Sequence, residues 1–320
     1  LKIIKKRSNL GLKTLYDICK IESQPTTFDL GFKLGPRINA GGRVGKSSDG
    51  ADLLISEDPQ KAYQIAISLD KYNTERQNIE MQLSEQIEIE AKKFHNHPVL
   101  VLVGSDWHEG VLGIIASKIK DKYNKPTIII SLNKKIGKGS ARSIVGFDIG
   151  AQIIKAVQLN ILEKGGGHKM AGGFSIKKEK IPIFRDLLIK NFERLYTTSS
   201  EDINLYLDSI IAPSALNEIF FEEINLLSPF GSGNLEPNFV IENIKVLSSN
   251  LVKNRHIKSL LIAKDGSTFK AFAWNARDTL LESYLEKDQK NKINIAGNIR
   301  LNEWKGKKEI QFNIVDIAVA

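Results

Sequence analysis

The 320-residue sequence has a single cysteine, Cys19, which excludes an internal disulfide framework and suits a reducing compartment, the cytoplasm. No run approaches the roughly 18 apolar residues that a membrane helix requires. The opening stretch LKIIKKRSNLGLK carries no signal-peptide cleavage pattern. Histidines stand at 95, 97, 108, 168 and 256 with no HxxxH partner and no CxxC motif, and the carboxylates are scattered. The chain by itself therefore offers no metal-binding motif. Internal repeats and low-complexity tracts are absent too. What is present is a soluble-protein composition, 42% hydrophobic and 26% charged, with a net charge of +9 and a pI near 9.3. A length of this order predicts two or three domains, and the charge favours a polyanionic partner.

Residues 1–56 read as irregular, with the Gly-rich stretch LGPRINAGGRVG (34–45) as a loop or linker. From Asp58 the pattern becomes helical. Ala62, Ile65, Ala66, Leu69, Ile79, Leu83 and Ile87 recur every three to four residues, predicting one long helix to about Lys93. PVLVLVG (98–104), GVLGIIASKIKDKY (110–123) and KPTIIIS (125–131) read as strand, helix and buried strand. A strand at 137–143, a helix at 147–159, a strand at 171–176 and a helix to about Tyr196 complete an α/β domain, and 197–202 reads as a linker. After a helical stretch near 213–226, five β-rich runs follow from Asn238 onward, with Gly266 and Gly306 at hairpin-turn positions. They predict a five-stranded Greek-key barrel of the OB type.

Four constellations could carry chemistry. In GPRINAGGR (35–43), Arg37 and Arg43 flank Asn39, which suits either a phosphate cradle or a turn with surface charges. In SDWHEGVLGIIAS (105–117), His108 and Glu109 lie at a helix start, where Asp106 can serve as a cap and Trp107 as packing. In GKGSARS (137–143), Lys138, Ser140, Arg142 and Ser143 lie in a strand-like stretch that sends Ser140 and Arg142 to one face. A solvated basic strand would look the same. In GGGHKMAGGFSI (165–176), glycines including Gly166 and Gly167 bracket His168, allowing close approach of a ligand. Residues 245–320 add fourteen Lys or Arg against eight Asp or Glu, with aromatics interleaved. Arg255, Lys270, Trp274, Arg300 and Trp304 are the candidates there for neutralising a backbone and stacking bases. Strand alternation sends Phe269 and Phe272 to opposite faces, so only part of this aromatic set can face a ligand.

Taken in order, GPRINAGGR, WHEGVLGIIAS, GKGSARS, GGGHKMAGGFSI and PFGSGNLEPNF (229–239) resemble the RecJ exonucleases of the DHH superfamily across nearly the whole chain. The resemblance implies an α/β architecture in four parts. Residues 1–56 would be the C-terminal tail of a DHH domain, 57–96 a connecting helix, 97–200 the α/β DHH-associated domain, and 201–320 an OB-fold nucleic-acid-binding domain. It implies a 5′ to 3′ single-stranded-DNA exonuclease of repair and recombination that uses Mn2+ or Mg2+ for phosphodiester hydrolysis. The sequence departs from the family in having no Asp-His-His triplet and no DxD motif, and it begins at Leu1. The ligands are therefore expected in a metal-binding region upstream, and the chain alone is expected to be inactive. By motif, His168 would contact the scissile phosphate beside Arg37 and Asn39, and Ser140 and Arg142 would grip the 5′-terminal phosphate. The implied partners are single-stranded DNA, a single-strand-binding protein and a helicase, for a monomer with no membrane association. A non-catalytic DHH-family single-strand-binding protein and a phosphodiesterase for nanoRNA or cyclic dinucleotides are the alternatives. The intact GGGH and GSARS segments weigh against the first and the extra barrel against the second.

Overall fold

The computed structural model describes residues 2–22, 24–196, 204–231, 233–286, 292–304 and 307–320. It divides into two compact units, 1–203 and 204–320.

The first unit opens with short helices α1 (Lys2–Lys5), α2 (Leu10–Ile18), α3 (Gly35–Val44) and α4 (Asp49–Ile55), with a π-helical turn at Asp29–Leu34. This corrects the loop expected at 34–45. Gly41 and Gly45 there, and Gly50 in α4, serve close packing instead of turns. A Cβ on Gly41 would lie 2.4 Å from the Lys46 carbonyl oxygen, and one on Gly50 would lie 2.6 Å from that of Ile38. Close packing thus outweighs glycine's helix penalty of about 1 kcal/mol per residue. Helix α5 (Pro59–Lys93) is capped by Asp58, whose side chain accepts from the Gln60 and Lys61 N–H groups. Its 35 residues span about 52 Å at the usual rise. The first half of its buried face (Ala62, Ala66, Leu69) packs with Leu15, Tyr16 and Leu53, and the second half (Leu83, Ile87, Ala91) packs with Leu100, Leu102 and Ile115.

The α/β part follows as β1 (Leu100–Ser105), α6 (Glu109–Tyr123), β2 (Thr127–Asn133), β3 (Ile136–Arg142), α7 (Ile149–Gln158), β4 (Lys164–His168), β5 (Ala171–Lys177) and α8 (Ile181–Leu195). The sheet order is β1-β2-β3-β5-β4, with β1 and β2 parallel across the α6 crossover and the other pairs antiparallel. Helices α7 and α8 cover one face through Ile149, Ile153, Phe184 and Leu188. On the other face α5 and α6 cover the β1 and β2 side, α5 through Leu83 and Ile87 and α6 through Val111, Leu112, Ile115 and Ile119. The segment containing the three glycines before His168 is thus the edge strand β4, hairpinned to β5, where the sequence suggested only a flexible approach to a ligand.

The second unit contains β6 (Ser209–Ile210), α9 (Glu218–Asn225), β7 (Phe239–Val252), β8 (His256–Ile262), β9 (Thr268–Ala273), α10 (Leu280–Tyr284), β10 (Ile293–Trp304) and β11 (Lys307–Val319). The order β10-β11-β9-β8-β7 is closed by a β10–β7 pairing, and β11 runs parallel to β9. This is the five-stranded OB-type barrel that the alternating runs predict. Its interior holds Phe239, Ile241, Leu261, Phe269, Ile295 and Phe312. Gly266 takes φ +84° in the β8–β9 turn, while the expected turn at Gly306 lies outside the described residues.

Candidate nucleic-acid interface

Strand alternation and register build the site in the first unit. On β3, Gly139 and Ala141 face the α7 and α8 core, where the Phe174 ring lies against Gly139. Lys138, Ser140 and Arg142 point the other way. Register then sets out three rows across β3, β5 and β4. They are Arg142, Ala171 and His168; Ser140, Gly173 and Gly166; and Lys138, Ser175 and Lys164. Cα atoms two strands apart lie about 10 Å from each other, and successive rows are about 7 Å apart. Glycine at 166 and 173 leaves the middle row bare beyond Ser140, so the sheet floor there is flat. Glu109 and Leu112 of α6 form the opposite wall of a cleft of about 610 Å³ lined by Lys138, Ser140 and Lys164.

At one end of this face, Arg142 lies against α6. A Cβ on Gly113 would come within 2.6 Å of an Arg142 Nη and 3.1 Å of Ser140 Oγ. Arg142 Nη1 donates to the Ala141 carbonyl at 2.8 Å and, more weakly, to Ser140 Oγ at 3.3 Å. Arg43, at the end of α3, donates from Nη1 to the Gly110 carbonyl at 3.1 Å. Gly110 permits this because any Cβ there would strike the Arg43 backbone. Burial first, and then the nearby Arg43 charge, push the Arg142 pKa down from its ordinary value. Among the described residues neither guanidinium has a carboxylate partner in ion-pair range. A half-buried arginine beside a second cation, with a hydroxyl at hand and a helix start close by, is an arrangement that an anion completes.

His168 ends β4, is exposed, and packs by its backbone on Gly150 at the start of α7. Its Nδ1 accepts from the Met170 N–H at 3.3 Å, so the neutral ring carries its proton on Nε2, free to donate toward the open side. Arg37 is held elsewhere, with Nε on Asp70 at 2.7 Å and Nη1 on the Lys33 carbonyl at 2.8 Å. Asn39 is exposed on α3. No hydrogen bond among the described residues joins either of them to His168. Ser143 requires a correction. It is 1% exposed, and its hydroxyl donates to the Phe147 carbonyl at 2.6 Å, which removes it from any ligand surface. An odd step along the strand from Ser140 turns it to the core side. The cap of α6 is likewise His108, which accepts from the Gly110 N–H, and Asp106, two residues earlier, takes a left-handed conformation. Lys164 and Ser175 escaped the sequence reading, whereas Glu109 was noted there at the helix start. Treating KGGGH as a strand would have put Lys164, Gly166 and His168 on one face.

In the barrel, Phe269, Ala271 and Ala273 are buried, while Phe272 and Trp274 point outward and Trp274 is 60% exposed. The buried His256 ring meets the Trp274 edge at 4.7 Å and accepts from the Asn275 N–H at 2.9 Å. Arg255 Nε lies 3.0 Å from Nε2, the nitrogen that carries the proton in the neutral ring when Nδ1 accepts. Burial, then Arg255 and Lys253, lower the His256 pKa. Lys258 pairs in register with Phe272 and so stands on the same outward face. Lys270 is paired with Glu309 and Arg300 with Glu236, both at 2.5 Å. The Trp304 side chain lies outside the described residues.

Residues 96–194 match the DHHA1 domain family, and 207–316 match the RecJ OB domain family. The single-stranded-DNA-specific exonuclease RecJ of Bacillus subtilis (strain 168) is 31% identical over 99% of this chain and 40% of its own length. Its counterpart in Haemophilus influenzae is 31% identical over 97% of this chain and 55% of its own length. The chain belongs to the RecJ family. It spans about half the length of the curated RecJ relatives it matches. The fold agrees as well. The crystal structure of RecJ in complex with Mn2+ from Thermus thermophilus superposes with a TM-score of 0.81 at 24% identity, over 98% of this chain and 45% of that one. A second structure of the same protein is a complex with Mg2+. Among the described residues here, no three His, Cys, Asp or Glu side chains come together as a metal site. The described donor set therefore does not fit a divalent ion.

Proposed function

We propose that this chain is the strand-holding part of a 5′ to 3′ single-stranded-DNA exonuclease of repair and recombination, acting in the cytoplasm. Any Mn2+ or Mg2+ used for hydrolysis needs ligands beyond the described residues. The observation that carries the reading is the unneutralised Arg43 and Arg142 pair with Ser140, set at the end of a glycine-floored cleft. It takes the 5′-terminal phosphate, and so favours digestion from that end. From there the strand crosses the sheet along the first row toward His168, whose Nε2 proton is directed at the scissile phosphate. Trp274 and Phe272 on the barrel stack downstream bases, with Lys258 and Arg255 neutralising the backbone. Residues 1–56 are read as the end of a DHH domain and Pro59–Lys93 as its connecting helix. In the enzyme that contains this chain, His168→Ala lowers turnover more than it lowers DNA affinity. Normal turnover in that variant would remove His168 from the chemistry.

A further inference from the structure

The third row of the sheet is left over once the first row is assigned. If the terminal phosphate sits at Arg43, Arg142 and Ser140, and the strand leaves along the Arg142 row toward His168, then Lys138 and Lys164 lie behind the end of the strand. They stand about 7 Å beyond Ser140, on a part of the cleft that no nucleotide of the chain occupies. Between them the floor is the buried Ser175, beside Gly173 and Gly166, and the two lysines line the cleft opposite Glu109 and Leu112. Among the described residues Lys164 has no carboxylate in ion-pair range. Lys138 has only Glu109, at 3.6 Å, and both members of that pair are at least half exposed. A pair so loose and solvated is worth little and exchanges readily for a better anion.

The geometry points to a second anion subsite, formed by Lys138, Lys164 and Ser175, that takes the outer phosphates of a 5′-polyphosphorylated nucleic-acid end. The first phosphate stays on Arg43, Arg142 and Ser140, and the next ones extend over the glycine floor into the lysine row. Flexible lysine arms suit this role better than a rigid fork, because they present point charges that follow a chain of phosphates. Glu109 competes for Lys138 when no outer phosphate is present. A strand with a single 5′-phosphate therefore leaves this row as the structure shows it.

The inference rests on the assignment of the terminal phosphate to Arg43 and Arg142, and the test separates the two. Fluorescence anisotropy of the chain would be measured with one single-stranded oligonucleotide carrying a 5′-hydroxyl, a 5′-monophosphate or a 5′-triphosphate. The proteins are the wild type, Lys138→Ala with Lys164→Ala, and a charge-matched control, Lys178→Ala with Lys190→Ala, whose side chains are exposed away from the cleft. The triphosphate end should bind roughly tenfold tighter than the monophosphate end, the scale of an added charge-assisted contact. That gain should vanish in the cleft variant and persist in the control. Equal affinity for triphosphate and monophosphate ends in the wild type, or a gain that survives loss of both lysines, would overturn the subsite. The difference between monophosphate and hydroxyl ends reports separately on the Arg43 and Arg142 assignment.

Discussion

In the first unit Arg43, Arg142 and Lys164 have no carboxylate in range among the described residues, while in the barrel Lys270 and Arg300 are tied to Glu309 and Glu236. The barrel's outward face instead offers rings, Trp274 over His256 and beside Phe272. The contrast teaches how one chain divides a single-strand grip. Unneutralised cations around a hydroxyl read a fixed point anion, the end of the strand. Aromatic faces hold any base and leave sequence and end group unread. Salt should therefore weaken the first kind of contact more steeply than the second.

The contrast breaks most severely if the sheet beneath the cleft is spoiled from its core side. A Cβ on Gly139 would lie 2.1 Å from the Phe174 ring, itself wedged edge-on against Phe184. Gly139→Leu should cost about 3 kcal/mol or more of stability through overpacking, read as a lower urea midpoint. An unchanged midpoint would mean the core side of the sheet is not packed as described. Next in size, Trp274→Ala should weaken single-strand binding by about 1 to 3 kcal/mol, equally for phosphorylated and hydroxyl ends. A selective loss for phosphorylated ends would mean the two surfaces do not divide the work. The smallest expected effect concerns pH. His256 has a lowered pKa in the folded barrel, so folding favours its neutral form. Its contribution is complete above the ordinary value of 6.5 and is lost as pH falls through the lowered one. Unfolding midpoints should then drop more on acidification from pH 7.5 to 5.5 (roughly one unit either side of that value) in the wild type than in His256→Asn. Parallel pH profiles would show that the ring is not held neutral.

Periodicity made the barrel and the long helix legible, because apolar spacing of two and of three to four residues is written directly into β9, β10 and α5. The same alternation places Ser140 and Arg142 on one face from the sequence alone. Glycine-rich segments were less legible, since glycine signals equally a turn, a close helix contact or a flat strand. Residues 34–45 proved to be the helix α3, with Gly41 pressed on the Lys46 carbonyl, and the glycines before His168 proved to be an edge strand. Long-range proximity was not legible at all. Nothing in the spacing of Arg43 and Arg142 announces that a crossover helix, α6, brings both to its first turns. Nor does anything local warn that Arg37 is held by Asp70, 33 residues later.

The most direct test of the central claim is the affinity of the chain for one single strand with and without a 5′-phosphate, compared between the wild type and Arg142→Ala. The account predicts tighter binding of the phosphorylated end by the wild type, and loss of about 1 to 3 kcal/mol of that preference in the variant. Equal affinity for both ends in both proteins would contradict it.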